Sequence, residues 1–146
     1  MNNFEDIISG KICPYCNCET ELVSSKEIYG PDSTYGSNHY RCKKNPDHYV
    51  GTYKNSTPPN KSLGRLADKE LREWKMKGHG EFDPLHKAPN PHFENSKSAY
   101  QWLSKEMNIE INYTHFGMFT IEQCQQAIAL CQQLKKNQNT KNSTSE

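Results

Sequence analysis

Apolar residues come in two rhythms along this chain, and the change falls near residue 60. From Glu19 to Lys54 they stand in short runs rich in β-branched and aromatic residues, "TELVSSKEIYG", "HYRC" and "HYVGTYK", separated by the Gly- and Ser-containing loop "GPDSTYGSN". Such runs favour short strands bounded by turns. Ahead of them "NNFEDIIS" forms a short amphipathic turn with Phe4, Ile7 and Ile8 facing inward, and Gly10 releases the chain.

Beyond residue 64 the period becomes helical. Ala67, Leu71, Trp74, Gly78 and Phe82 recur at three- and four-residue intervals and line one face of a helix over 65–82, started at Ser62 or capped at Asp68. Gly78 and Gly80 each weaken its last turn by about 1 kcal/mol relative to Ala. "FDPLHKAPNPH" turns, because Pro84 and Pro91 interrupt regular hydrogen bonding. A second helix is expected from Ser96 or Lys97 to Met107, burying Ala99, Trp102, Leu103 and Met107. A third starts from a Thr120 cap with Gln123 placed for a capping box, and carries Ile121, Cys124, Ala127, Ile128, Cys131 and Leu134 inward. Between them "INYTHFGMF" reads as a short extended or turn segment.

The expected fold is therefore α+β: an N-terminal ribbon of short antiparallel strands packed on a C-terminal bundle of about three helices. Its divisions are a ribbon over 1–54, a Pro-containing linker over 55–64, a helical module over 65–136 and a disordered polar tail over 137–146. There is no internal repeat.

Composition and charge narrow the class. A hydrophobic share of 33% and a mean hydropathy of −1.01 leave little material for a dry core, so a cross-link or metal is needed to support the small β part. No apolar run reaches the roughly 18 residues of a membrane helix. "MNNFEDIISG" carries acidic rather than basic residues, unlike a secretory signal, so a cytoplasmic location is expected. In that reducing setting the six cysteines read as thiolates or small buried residues, not disulfides. Between Arg41 and Lys77 ten Lys or Arg stand against four Asp or Glu, a polarity suited to phosphates or an acidic partner as well as to plain solvation.

"KICPYCNCET" supplies the sharpest chemical signal. Cys13 and Cys16 have the two-residue spacing that aims both thiolates at one ion, and Pro14 stiffens the turn. Asn17 stands where a left-handed residue is needed, a conformation Asn tolerates. Cys18 is then one residue too far along and is expected to turn away. The second half of the site is irregular: Cys42 has no partner cysteine at the usual spacing, and His48 is the nearest soft donor. The expected set is Cys13, Cys16, Cys42 and His48 around one structural Zn2+, with His39 or Cys18 as alternatives for the fourth place. Four protein ligands leave no open coordination position, so such an ion holds structure. A redox CxxC is the weaker reading, because no βαβ pattern surrounds it.

These residues, with "YRC", "YVGTY", "LGRLADKELR", "GHGEFDPL", "AYQWLSKEM" and "HFGMFTIEQC" in order over roughly residues 12–134, resemble the small zinc-finger-containing domain of phage and prophage proteins. The resemblance implies a phage or prophage origin and a two-part architecture. Family members generally close the second knuckle with a further cysteine ahead of "YVG". Here "NPDH" occupies that place, which favours His48. The resemblance supplies no reaction, but it picks out His79, Phe82, Asp83, Pro84 and His115 as motif positions.

Three functions are expected to compete. The first is a non-catalytic module that binds nucleic acid, or a host protein that handles nucleic acid or defends against phage. Lys43, Lys44, Lys54, Lys61, Arg65, Arg72 and Lys75 would supply charge, and Tyr40, Tyr49 and Tyr53, in a group with Tyr29 and Tyr35, would supply stacking faces. Six phosphate contacts would give a logarithmic salt slope of about 4 to 5. The second is a hydrolase or nuclease in which His79, Asp83, His86 and His115 converge. The simpler account of those side chains is packing and capping. The third is an oligomeric scaffold. Cys124 and Cys131, seven apart on one helical face, read as small core residues.

Overall fold

The computed structural model describes residues 4–34, 37–87 and 91–144. It divides into two compact units, Met1–Arg72 and Glu73–Glu146. The first begins with helix α1 (Phe4–Ile8) and contains strands β1 (Thr20–Ser24), β2 (Asn38–Cys42) and β3 (Tyr49–Gly51), with helix α2 (Ser25–Tyr29) between β1 and β2. The strands form one antiparallel sheet in the order β1-β2-β3. Register places Thr20 opposite Cys42, Glu21 opposite Arg41 and Tyr40 opposite Val50. The cross-strand pair is ionic, Arg41 donating to Glu21 at 2.9 Å. After β3 the chain returns alongside it through bridges Thr52–Ser62 and Tyr49–Ala67. Residues 55–61 are held within this return: Tyr53 N–H donates to the Lys61 carbonyl at 2.9 Å and the Tyr40 hydroxyl to the Asn60 carbonyl at 2.8 Å.

Two expectations for this unit are corrected. "SSKEIY" does not extend the strand but turns into α2, because β1 runs out of partner where Ser24 meets the first residue of β2, Asn38. Phe4 is 37% exposed while Ile8 is buried, so only the end of α1 faces inward.

Helix α3 (Lys69–Phe82) starts later than 65, since Leu66 and Ala67 are buried and Ala67 is bridged to β3. Asp68 caps it, accepting from Leu71 N–H at 2.9 Å. In the second unit follow α4 (Pro84–Lys87), α5 (Ser96–Met107), two 3-10 turns (Ile111–Tyr113 and Phe116–Met118) and α6 (Ile121–Thr144), which takes in most of the polar tail. Asn95 caps α5 through Ser98 N–H at 2.9 Å. The reciprocal box at α6 is formed: Gln123 N–H donates to the Thr120 hydroxyl at 3.2 Å and Thr120 N–H to the Gln123 side chain at 2.9 Å. Phe82, Leu85, Ala99, Leu103, Phe116, Phe119, Cys124, Ala127 and Cys131 are buried. Burial pushes the Cys131 thiol up to about 12, in keeping with an inert packing residue. Trp102 is only half-buried, against Phe93.

Candidate metal centre

The donor cysteines are part of the buried core of the first unit. Cys13, Cys42, Val50 and Leu66 are buried together, with Cys16, Cys18, Tyr40 and Leu63 against them. Two turns deliver the sulfurs. In the first, Asn17 N–H donates to the Cys13 carbonyl and Cys13 N–H to the Cys18 carbonyl, both at 2.8 Å, and Asn17 takes the left-handed conformation with φ 53°. The amides of Tyr15 and Cys16 act to lower the Cys13 thiol. In the second, Lys44 and Asn45 N–H donate to the Cys42 sulfur, each at 3.3 Å. The amides involved lie two and three residues after the cysteine in both turns, so Asn45 is the counterpart of Cys16. The missing thiolate is therefore at residue 45.

His48 fills the gap from three residues further on. Its Nδ1 lies 3.5 Å from Cys13 Sγ and 3.7 Å from Cys16 Sγ. Sulfur and nitrogen bound tetrahedrally to one zinc are separated by about 3.6 Å, from bond lengths near 2.3 and 2.0–2.1 Å. The donor atoms of Cys13, Cys16, Cys42 and His48 all lie within 4.8 Å of one another. Three thiols and an imidazole of this spacing suit one structural zinc ion.

The electrostatics of the donor set are uneven. Burial works to raise Cys42, but the amides of Asn45 and Lys44 and the thiols of Cys18 and Cys13 outweigh it and bring the group down to about 6. Burial pushes Cys13 up to about 12, and Cys16 is raised by burial and by its hydrogen bond with Cys42. A zinc ion takes the place of the protons that these thiols would otherwise keep.

His39 is not near this chemistry. It is buried, with Nδ1 3.3 Å from the Ser25 hydroxyl and Nε2 3.4 Å from the Tyr29 hydroxyl, and burial lowers its pKa. Cys18 does not turn away as expected. Pairing of β1 with β2 sets Thr20 opposite Cys42, and the Cys18 Sγ comes to 3.5 Å from Cys42 Sγ.

The basic and aromatic residues separate into two groups. Arg72 donates to Asp47 at 2.8 Å and lies 4.1 Å over the Tyr49 ring, which also meets Tyr29 and His39. Lys43 pairs with Glu19 at 3.5 Å, and Lys75 donates to the Gly117 carbonyl at 2.9 Å. Arg65 and Tyr40 are half-buried. Tyr35 lies outside the described residues. Lys44, Lys54, Lys61 and Tyr53 are exposed. Tyr53 and Lys54 line a polar groove of about 500 Å³ with Asn38, Thr52, Asn55 and Asn60, and Lys61 Nζ stands 5.6 Å from the Tyr53 ring centre.

In the second unit the Asp83 carboxylate is 3.6 Å from His79 Nδ1 and 3.7 Å from His86 Nε2. His115 packs on Tyr100, whose ring also meets Phe82. Among the described residues the only three-or-more-donor cluster with metal spacing is the Cys13, Cys16, Cys42 and His48 set.

A small antiparallel ribbon built around a Cys and His donor cluster, followed by helices, defines a zinc-finger protein. The chain belongs to the zinc-finger-containing domain family whose model matches residues 9–134. Comparisons with curated proteins and with solved structures give no match. No helix among the described residues is long and apolar enough to cross a membrane.

Proposed function

We propose that the chain is a non-catalytic binding protein of phage type, acting in the bacterial cytoplasm. Zinc on Cys13, Cys16, Cys42 and His48 would hold up a surface that takes single-stranded nucleic acid. The observation that carries this reading is the polar groove beside Tyr53. Tyr53 is 40% exposed, a lysine stands over its ring, and Asn38, Asn55 and Asn60 line the walls, Asn38 donating to Asn60 at 3.0 Å. An exposed aromatic face stacks any base, neighbouring ammonium groups neutralise phosphate, and amides offer both donors and acceptors. A four-ligand ion has no position for water, which argues against chemistry at the metal.

About three phosphate contacts by Lys44, Lys54 and Lys61 would give a logarithmic salt slope of about −2 on a single strand. Titrating a labelled oligonucleotide across salt concentrations measures it. Tyr53→Ala is expected to weaken binding by about 10- to 100-fold, the worth of one stacked base, with zinc content unchanged. Absence of binding to single- or double-stranded DNA or RNA would transfer the role to a host protein partner.

The hydrolase reading keeps one observation in its favour, the Asp83 carboxylate between two imidazoles. It requires a second metal or an acid-base function there. A metal content of one zinc per chain, with no nuclease activity under added Mg2+ or Mn2+, would remove it.

A further inference from the structure

We propose that Cys18 is a reserve ligand of the metal centre, placed to take over from His48 and convert a three-sulfur, one-nitrogen set into a four-sulfur one. The inference rests on the ligand set proposed above and goes beyond it by assigning the fifth donor a use.

Its first support is distance. Cys18 Sγ is 3.5 Å from Cys42 Sγ, while two sulfurs on one tetrahedral zinc are about 3.8 Å apart. The backbone at Cys18 is already fixed by its carbonyl bond from Cys13 N–H and by the left-handed Asn17. Cys18 stands outside the set whose donor atoms all lie within 4.8 Å of one another, so engagement requires its half-buried side chain to swing toward the other sulfurs. The second support is the surroundings of His48. A ligating imidazole ordinarily donates its other N–H to an acceptor, which fixes the tautomer. Here Nε2 is faced at 3.4 Å by Asn45 Nδ2, itself a donor. Exchanging the amide's two ends does not repair this, because Asn45 Oδ1 accepts from Asp47 N–H at 3.0 Å and the exchange would set donor against donor. His48 is therefore held by the Tyr15 ring, 4.4 Å away between ring centres, rather than by a protein acceptor on Nε2, and the neighbouring thiol is the softer ligand. On exchange Cys18 gives up its proton to the released imidazole or to water, and the centre gains one negative charge.

Cobalt substitution of the full chain tests this, because sulfur-to-cobalt charge-transfer intensity follows the number of bound thiolates. His48→Cys supplies the four-sulfur reference. Wild type and Cys18→Ala are expected to share a three-thiolate spectrum. His48→Ala is expected to keep the metal, show four-thiolate intensity and bind zinc within about 10-fold of wild type. The double variant should fall by about a further 100-fold, an even share of a four-ligand site. If His48→Ala binds as weakly as the double variant, the reserve role is wrong while the ligand set stands. If Cys18→Ala alone changes the spectrum, Cys18 is a resident ligand, and both the set and the reserve role fail.

Discussion

Gly78 and Gly80 lie two residues apart on α3, yet the space around them is opposite. A Cβ at Gly78 would sit 2.3 Å from Phe116 Cε1, whereas none of the surroundings comes within 4 Å at Gly80. Gly78→Ala should therefore cost about 1–3 kcal/mol through overpacking. Gly80→Ala should gain up to about 1 kcal/mol from helix propensity. Thermal melts of the two variants check the pair. The apolar period sets Gly78 and not Gly80 on the packed face, but it does not show how closely that face is approached, because the ring that decides lies 38 residues away in a 3-10 turn. At the metal, Cys13→Ser or Cys16→Ser should each lower zinc affinity by about 100-fold or more, measured by chelator competition. Asn17 was legible there as a left-handed residue. That Cys18 lies against Cys42 was not, since strand register and not local spacing brings them together.

The capping box of α6 was legible at the level of elements because it is a local exchange between Thr120 and Gln123, complete within four residues. Thr120→Ala should cost about 1 kcal/mol, seen as a lower denaturation midpoint. The start of α3 was less legible. Its apolar period includes Ala67, but pairing of that residue with Tyr49 holds it in extended backbone and leaves Asp68 to open the helix. For α2 the strand propensity of "SSKEIY" was overruled by the sheet, whose pairing among the described residues ends at Ser24 and Asn38. Phe116 and Phe119 follow neither a helical nor a strand period, so their complete burial could not be read from pattern.

At the scale of the molecule, the metal is expected to stand in for a hydrophobic core. Strand β3 has three residues, and among the described residues the cluster around Cys13 and Cys42 adds just Val50 and Leu66 as buried apolar side chains. A closed zinc site binds with about 10–16 kcal/mol at neutral pH, comparable with the whole stability of an ordinary domain. Because Cys13 stands at about 12 without metal, zinc must displace a proton from it. Affinity should therefore rise as pH increases through the neutral range and fall as protons compete, a trend that chelator competition at several pH values follows. The most direct test of the central claim is hydrogen exchange on the strand amides of 20–24, 38–42 and 49–51 before and after chelation. Loss of their protection on metal removal, and its return when one equivalent of zinc is added, is the predicted result. Protection that survives complete removal of the metal would contradict a structural role for the ion.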